Sequence, residues 1–151
     1  MENWKLKEIN GQYSVIDNNS ISYRNNLLEK LNIPICDGNE AGLHRSDTLI
    51  DWYRMPIYYK FFFDNQNLEE KIQRSLKSSM LLEKDNLIIT YGWEEPAILV
   101  PTLLFFEDWE GFIRSALWET IIFSEDKDII MEVSRDYFLH SNFETISDSK
   151  I

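Results

Sequence analysis

Glu119-Thr120-Ile121-Ile122-Phe123-Ser124-Glu125-Asp126-Lys127-Asp128-Ile129-Ile130-Met131-Glu132-Val133-Ser134 decides the fold. Two runs rich in Ile, Phe, Met and Val, residues 119–123 and 129–134, flank a polar and charged connection at 124–128. β-Branched and aromatic side chains suit a pleated sheet, and a short polar link between two such runs reads as an antiparallel hairpin. Alternation puts Ile129, Met131 and Val133 on one face and turns Glu132 and Ser134 to the other.

Working towards the N-terminus, the next segment is helical in period. Trp109, Phe112, Ile113, Ala116 and Leu117 fall at i, i+3, i+4, i+7 and i+8, which predicts a helix over about 105–118. Glu107, Asp108 and Glu110 sit near its positive N-terminal end. Before it, 86–91 and 97–100 read as two more strands, separated by a turn at 92–96. Thr102, just past Pro101, is placed to start a helical turn. Residues 66–83 predict a further helix, with Leu68, Ile72, Leu76 and Met80 four apart and a capping box from Asn67 and Glu70.

The N-terminal third is less regular. Residues 4–16 read as a short extended start, 17–20 as a turn, and 22–31 as a helix with Leu27, Leu28 and Leu31 on one side. Residues 36–47 read as a loop. In 48–63, Leu49, Trp52 and Tyr53 suit a helical turn, Pro56 breaks it, and 57–63 has strand propensity. Helices gathered early and strands late, with one helix between them, predict an α+β fold in which a mainly antiparallel sheet packs against a few helices.

The chain has 151 residues, enough for one good core and too few for two, so 1–151 is read as a single domain with residues 147–151 as a disordered end. Its 21 aromatic residues supply large buried areas. The expected core is Leu68, Ile72, Leu76, Phe112, Ile113, Leu117, Ile121, Ile129, Met131 and Val133. Cys36 is the single cysteine, which rules out an internal disulfide and a Cys-based zinc site. The start, Met1-Glu2-Asn3-Trp4-Lys5, has neither the basic nor the apolar region of a signal peptide, and the longest uncharged run, 96–106, is too short for a bilayer. A cytoplasmic protein is expected.

Net charge is −11, and it is uneven: residues 1–76 carry net −2 and residues 77–151 net −9. Such a field repels nucleic acid phosphates and anionic lipid and attracts basic partners, although acidity also serves plain solubility. No GxGxxG, P-loop, HExxH, GxSxG or CxxC motif is present, so neither a cofactor nor a catalytic residue is assigned. His44 with Asp47, and Asp136 with His140, offer two ligands each, short of the three or four a metal needs, and no metal site is expected. Cys36 with His140 has no spacing that supports a nucleophilic pair. The dense run Arg135-Asp136-Tyr137-Phe138-Leu139-His140 reads as an ion-paired sheet edge rather than a site.

The most suggestive pattern interleaves rings with acids: Gly92-Trp93-Glu94-Glu95-Pro96 and Phe105-Phe106-Glu107-Asp108-Trp109-Glu110. Trp93, Glu94, Glu95, Glu107, Asp108 and Glu110 are the candidate binding residues, since rings anchor protein interfaces and surrounding acids steer a basic partner. The opposing interpretation makes the rings core and the acids caps. The helical spacing already explains Trp109 that way.

A small, acidic, aromatic-rich domain without catalytic motifs, carrying Trp93-Glu94-Glu95 and Glu107-Asp108-Trp109-Glu110 in an acidic C-terminal half, resembles the immunity proteins of bacterial polymorphic and contact-dependent toxin systems. The resemblance is one of general character, with no diagnostic motif, so no residue role is carried over. It implies a protein that binds a toxin domain, often a nuclease, and blocks it, with acidic patches that mimic or repel the nucleic acid. A carboxylate-dependent hydrolase, where Glu and Trp would also meet, and a regulatory or structural domain remain as alternatives.

Overall fold

The computed structural model describes residues 4–9, 11–36, 48–62, 73–74, 76–77, 79–92, 95–115, 120–134 and 138–144. Seven strands form one antiparallel sheet: β1 (Ser14–Asp17), β2 (Tyr59–Phe62), β3 (Asn86–Tyr91), β4 (Ala97–Pro101), β5 (Thr120–Ser124), β6 (Ile130–Val133) and β7 (Phe138–Ser141). Their order across the sheet is β1-β4-β3-β5-β6-β7-β2. The fold is α+β, as the strand-rich C-terminal half predicts. The β5–β6 hairpin pairs Thr120 with Val133 and Phe123 with Ile130. β3 lies beside β5 in register from Leu87↔Ser124 to Tyr91↔Thr120.

Both faces of the central strands are covered. One face carries Leu87, Ile89, Tyr91, Ile98, Val100, Ile122, Met131, Val133 and Leu139. It packs beneath α1 (Trp4–Glu8), α3 (Thr102–Glu107) and α4 (Trp109–Arg114), with Leu6, Phe105, Phe106, Phe112 and Ile113 filling the layer. The other face carries Ile88, Ile121, Phe123 and Ile130, and packs under α2 (Ser20–Lys30) and the segment around Ile50 and Trp52. Hence strands 86–91 and 120–124 are apolar almost throughout, since neither side meets water. Glu132 and Ser134, on the second face, are buried too. Of the expected core, Leu76, Phe112, Ile113, Ile121, Ile129, Met131 and Val133 are buried, and Leu68, Ile72 and Leu117 lie outside the described residues.

Three expectations about local structure need correction. The start is not extended throughout: 4–8 is helical and only 14–17 is strand. Leu6 is drawn into the core and Lys5 Nζ bonds Asp108 Oδ2 at 2.9 Å, a tertiary contact that local sequence does not announce. The helix expected over 105–118 is two short helices broken at Asp108, whose backbone (φ −153°, ψ 60°) leaves the helical region. Asp108 then caps α4 by accepting from Gly111 N at 3.1 Å. The helix expected over 66–83 falls largely outside the described residues, but its C-terminal part is a separate 3-10 turn, Met80–Glu83. Ser79 is extended there and accepts from Leu81 N, so Met80 turns outward instead of joining the apolar stripe.

The remaining elements follow their sequence signals. α2 starts at the Asn19 cap, which accepts from Ser22 N at 3.0 Å. The turn expected from Leu49, Trp52 and Tyr53 is a 3-10 helix, Trp52–Arg54, and the strand after Pro56 is β2. No helix among the described residues is long and apolar enough to cross a membrane.

Candidate functional site

The interleaved acids and rings take different positions. Trp93 and Glu94 lie outside the described residues. Glu95 is half-buried just before β4, and its carbonyl accepts from Ser20 N at 2.8 Å. Trp109 is buried, as its spacing indicates. Asp108 is structurally engaged on both oxygens, Oδ1 by Gly111 N and Oδ2 by Lys5 Nζ. A Cβ at position 111 would stand 2.1 Å from Asp108 Oδ2, so only glycine lets the cap close. Lys5 Nζ also bonds Glu8 Oε2 at 3.2 Å and lies 5.1 Å from the Phe112 ring centroid. Burial alone would lower the Lys5 pKa; the bonds to Asp108 and Glu8 outweigh it and raise it. Glu107 is exposed at the end of α3, and Glu110 is half-buried in the first turn of α4.

A different acidic surface assembles at one end of the sheet. β3 and β6 begin there and β4 and β5 end there, so residues 79–86, 101–103 and 124–129 converge. Glu83, Asp85, Glu125, Asp126 and Asp128 are all exposed at this end. Thr102 N donates to Asp85 O at 2.9 Å, which ties the start of α3 to the acidic turn. Lys84 Nζ bonds Asp126 Oδ2 at 2.6 Å and reaches Asp128 Oδ2 at 3.5 Å. The Lys84 bond, helped by Ser124 Oγ and Asp128 N, holds the Asp126 carboxyl far below the usual carboxylate range. Leu103 (66 % exposed) and Leu82 (56 % exposed) stand among these acids as apolar side chains in water. Glu107, four residues beyond Leu103, shares its side of α3. In the sequence, 124–128 reads as the polar connection of a hairpin. The available signal was the net −9 of residues 77–151, and strand pairing, unknown in advance, is what gathers it at one end.

The second face holds a buried polar cluster that sequence reading did not assemble. Glu132 is 5 % exposed, and its carboxylate accepts three N–H bonds. Oε2 accepts from Leu49 N at 2.7 Å, and Oε1 accepts from Ile50 N at 3.2 Å and from Trp52 Nε1 at 2.9 Å. His140 is its cross-strand partner on β7. The His140 ring stacks with Trp52 and with Tyr58, whose hydroxyl is 2.8 Å from Nδ1, while Ser134 Oγ is 3.0 Å from Nε2. Ser134 Oγ also donates to Phe138 O, so hydroxyls from two segments hold the His140 ring at both nitrogens. Both His140 and Ser134 are sealed from solvent, which suits a structural network rather than a nucleophile. Of the other chemistry-bearing candidates, His44, Asp47, Arg135, Asp136 and Tyr137 lie outside the described residues. Cys36 is half-buried, its Sγ 3.8 Å from Ile50 O. Among the described residues no three His, Cys, Asp or Glu side chains come together as a metal would need.

Beside this cluster an open groove of about 700 Å³ runs between α2 and residues 33–35, with Leu49 and Arg54 on its far wall. Its lining includes Glu29, Arg24 and Arg54, but neither Glu132 nor His140. No family model matches this chain, and no curated protein matches it.

Proposed function

We propose that this chain is a non-catalytic protein-binding module whose partner presents a basic surface, of the kind an immunity protein offers to a toxin domain. The observation that carries the reading is the acidic end of the sheet, where Glu83, Asp85, Glu125, Asp126 and Asp128 surround the exposed Leu82 and Leu103. Its carboxylates outnumber the cations Lys84 and Lys127, and such a net negative area steers a basic partner and raises its association rate. Exposed leucines among them supply apolar area to desolvate once contact is made. Glu107, exposed on α3, and Glu110, half-buried on α4, add further carboxylates, and Trp93, Glu94 and Glu95 remain candidate binding residues on the sequence alone. The anchors differ from those read in the sequence, because Trp109 is core and Asp108 is engaged by Lys5.

The test is a partner recovered from the native host, followed by association and dissociation rates at two ionic strengths. Reversing Glu83, Glu125 and Glu107 to Lys should slow association about tenfold at low salt and leave dissociation nearly unchanged. Leu103→Ala should chiefly speed dissociation. Association that ignores both salt and charge reversal would remove the acidic surface from the mechanism.

A further inference from the structure

The groove beside α2 takes its described lining from α2, from residues 32–35 and from residues 49 and 54. Leu28, Ile33, Ile35 and Leu49 make much of that lining apolar, and Ile35 stays 47 % exposed. Two guanidinium groups, Arg24 and Arg54, join them in a chain whose net charge is −11. We propose that this groove binds a small amphipathic carboxylic acid, with its carboxylate against Arg24 and Arg54 and its apolar body along Leu28, Ile33, Ile35 and Leu49. The groove shares no described residue with the acidic end of the sheet, and neither site depends on the other.

The charges of the lining are not placed alike. On α2, Arg24 and Leu28 are four residues apart and share a side, whereas Glu29 is turned about 140° round the axis from Arg24. Burial agrees, since Arg24 is half-buried and Glu29 is exposed. Arg24 therefore stands on the inner side of the groove and Glu29 at its rim. Arg24 Nε donates to Asn25 Oδ1 at 3.1 Å. On the far wall Arg54 is oriented by two bonds, from Nε to Asp51 Oδ2 at 2.7 Å and from Nη2 to Ile35 O at 3.4 Å. The Asp51 side chain is 14 % exposed and that of Arg54 is 60 % exposed, so the guanidinium is the group that meets the groove.

These groups select a ligand by its chemistry. A guanidinium carries donors and no acceptor, and its planar fork matches a carboxylate. The apolar side chains select a hydrocarbon body, which holds in proportion to the area it takes out of water. A single carboxylate suits the groove better than a phosphate ester, because Glu29 at the rim and the acidic chain as a whole repel a second negative charge. The volume of about 700 Å³ is that of a small-molecule pocket.

The experiment titrates the intact chain with octanoate, 1-octanol and octylammonium at neutral pH and follows the methyl signals of Leu28, Ile33, Ile35 and Leu49 by NMR. Octanoate should shift these signals saturably and bind about tenfold tighter than 1-octanol, the gain from one charge-assisted hydrogen bond. Octylammonium should bind no tighter than the alcohol. Arg24→Gln and Arg54→Gln should each remove most of the octanoate gain while 1-octanol binds as before. The two variants lie on opposite walls, so one keeps the test open if the other disturbs the groove, which the 1-octanol titration reads. Octanoate bound no tighter than 1-octanol, a gain that neither variant reduces, shifts confined to other methyl groups, or no saturable shift would each overturn the site.

Discussion

Both faces of the sheet bury apolar side chains, but only one adds a buried polar network around a carboxylate. Beneath α3 and α4 the contact is apolar side chain on apolar side chain, with Phe105, Phe106 and Phe112 entirely buried at its centre. Beneath residues 48–58 the contact is directed: a carboxylate, an imidazole and two hydroxyls fix Trp52 and its neighbours in place. Apolar area is indifferent to pH and forgiving of small shifts, while a buried carboxylate is sensitive to both. The sheet thus joins a robust layer to a conditional one, and the contrast can be broken or sharpened by experiment.

The largest effect is expected on the apolar face. Phe112→Ala should lower stability by about 3–5 kcal/mol, because it removes a fully buried ring and leaves a cavity. Urea denaturation at pH 5 and pH 7.5 should give the same loss. A loss that changes with pH by more than about 1 kcal/mol, the size of an ordinary surface effect, would show that the two faces are not independent.

The polar face should respond to pH instead. Glu132 has a folded pKa of about 7 against an ordinary 4.5, so between those values the folded chain holds a proton that the unfolded chain has released. Its contribution to stability is complete below about 4.5 and is lost as pH rises to about 7, a fall of about 3 kcal/mol. The charged carboxylate makes the stronger bonds, but bringing that charge out of water costs more than they return. Stability measured from pH 4.5 to 7.5 should carry this slope in the wild type and lose it in Glu132→Gln. An unchanged slope would move the pH sensitivity elsewhere.

A smaller change is expected where the apolar face meets α1. Lys5→Met keeps the aliphatic stem and removes the bond to Asp108, which retains its contact with Gly111 N. A loss of about 1–2 kcal/mol is expected, the range for a charge-assisted bond with one exposed partner. Thermal melts of Lys5→Met and of Asp108→Asn compared with the double variant would separate the pair from the cap. The smallest effect on stability belongs to the acidic end: reversing Glu83 and Glu125 should stay within about 0.5 kcal/mol, as exposed sites do, while it changes association with a basic partner. Destabilisation well beyond that would make the acids structural and remove them from a binding role.

Where signals were local, the sequence sufficed. Alternation at 129–133 and the polar link at 124–128 specify a hairpin without outside help, since strand pairing across a short turn needs only its own residues. The stripe Trp109, Phe112 and Ile113 is legible for the same reason. Pattern also has a limit: the unbroken apolar run Leu87-Ile88-Ile89 signals cover on both sides, but not which elements supply it. Asp108 shows a different limit. Its position near a helix start was readable, but its second oxygen is taken by Lys5, more than a hundred residues away in sequence, which no local pattern announces.

The amino-acid sequence by itself determined an α+β fold, a mainly antiparallel sheet, part of the core and an acidic C-terminal half, because composition and short-range period carry that information. Only the tertiary structure decided which acids share a surface, that Asp108 is held by Lys5, and that Glu132 lies under Leu49, Ile50 and Trp52. Those facts depend on strand order and on contacts between residues from about forty to a hundred positions apart. A charge's role follows from what surrounds it, and its neighbours in space are set by the packing of the whole sheet.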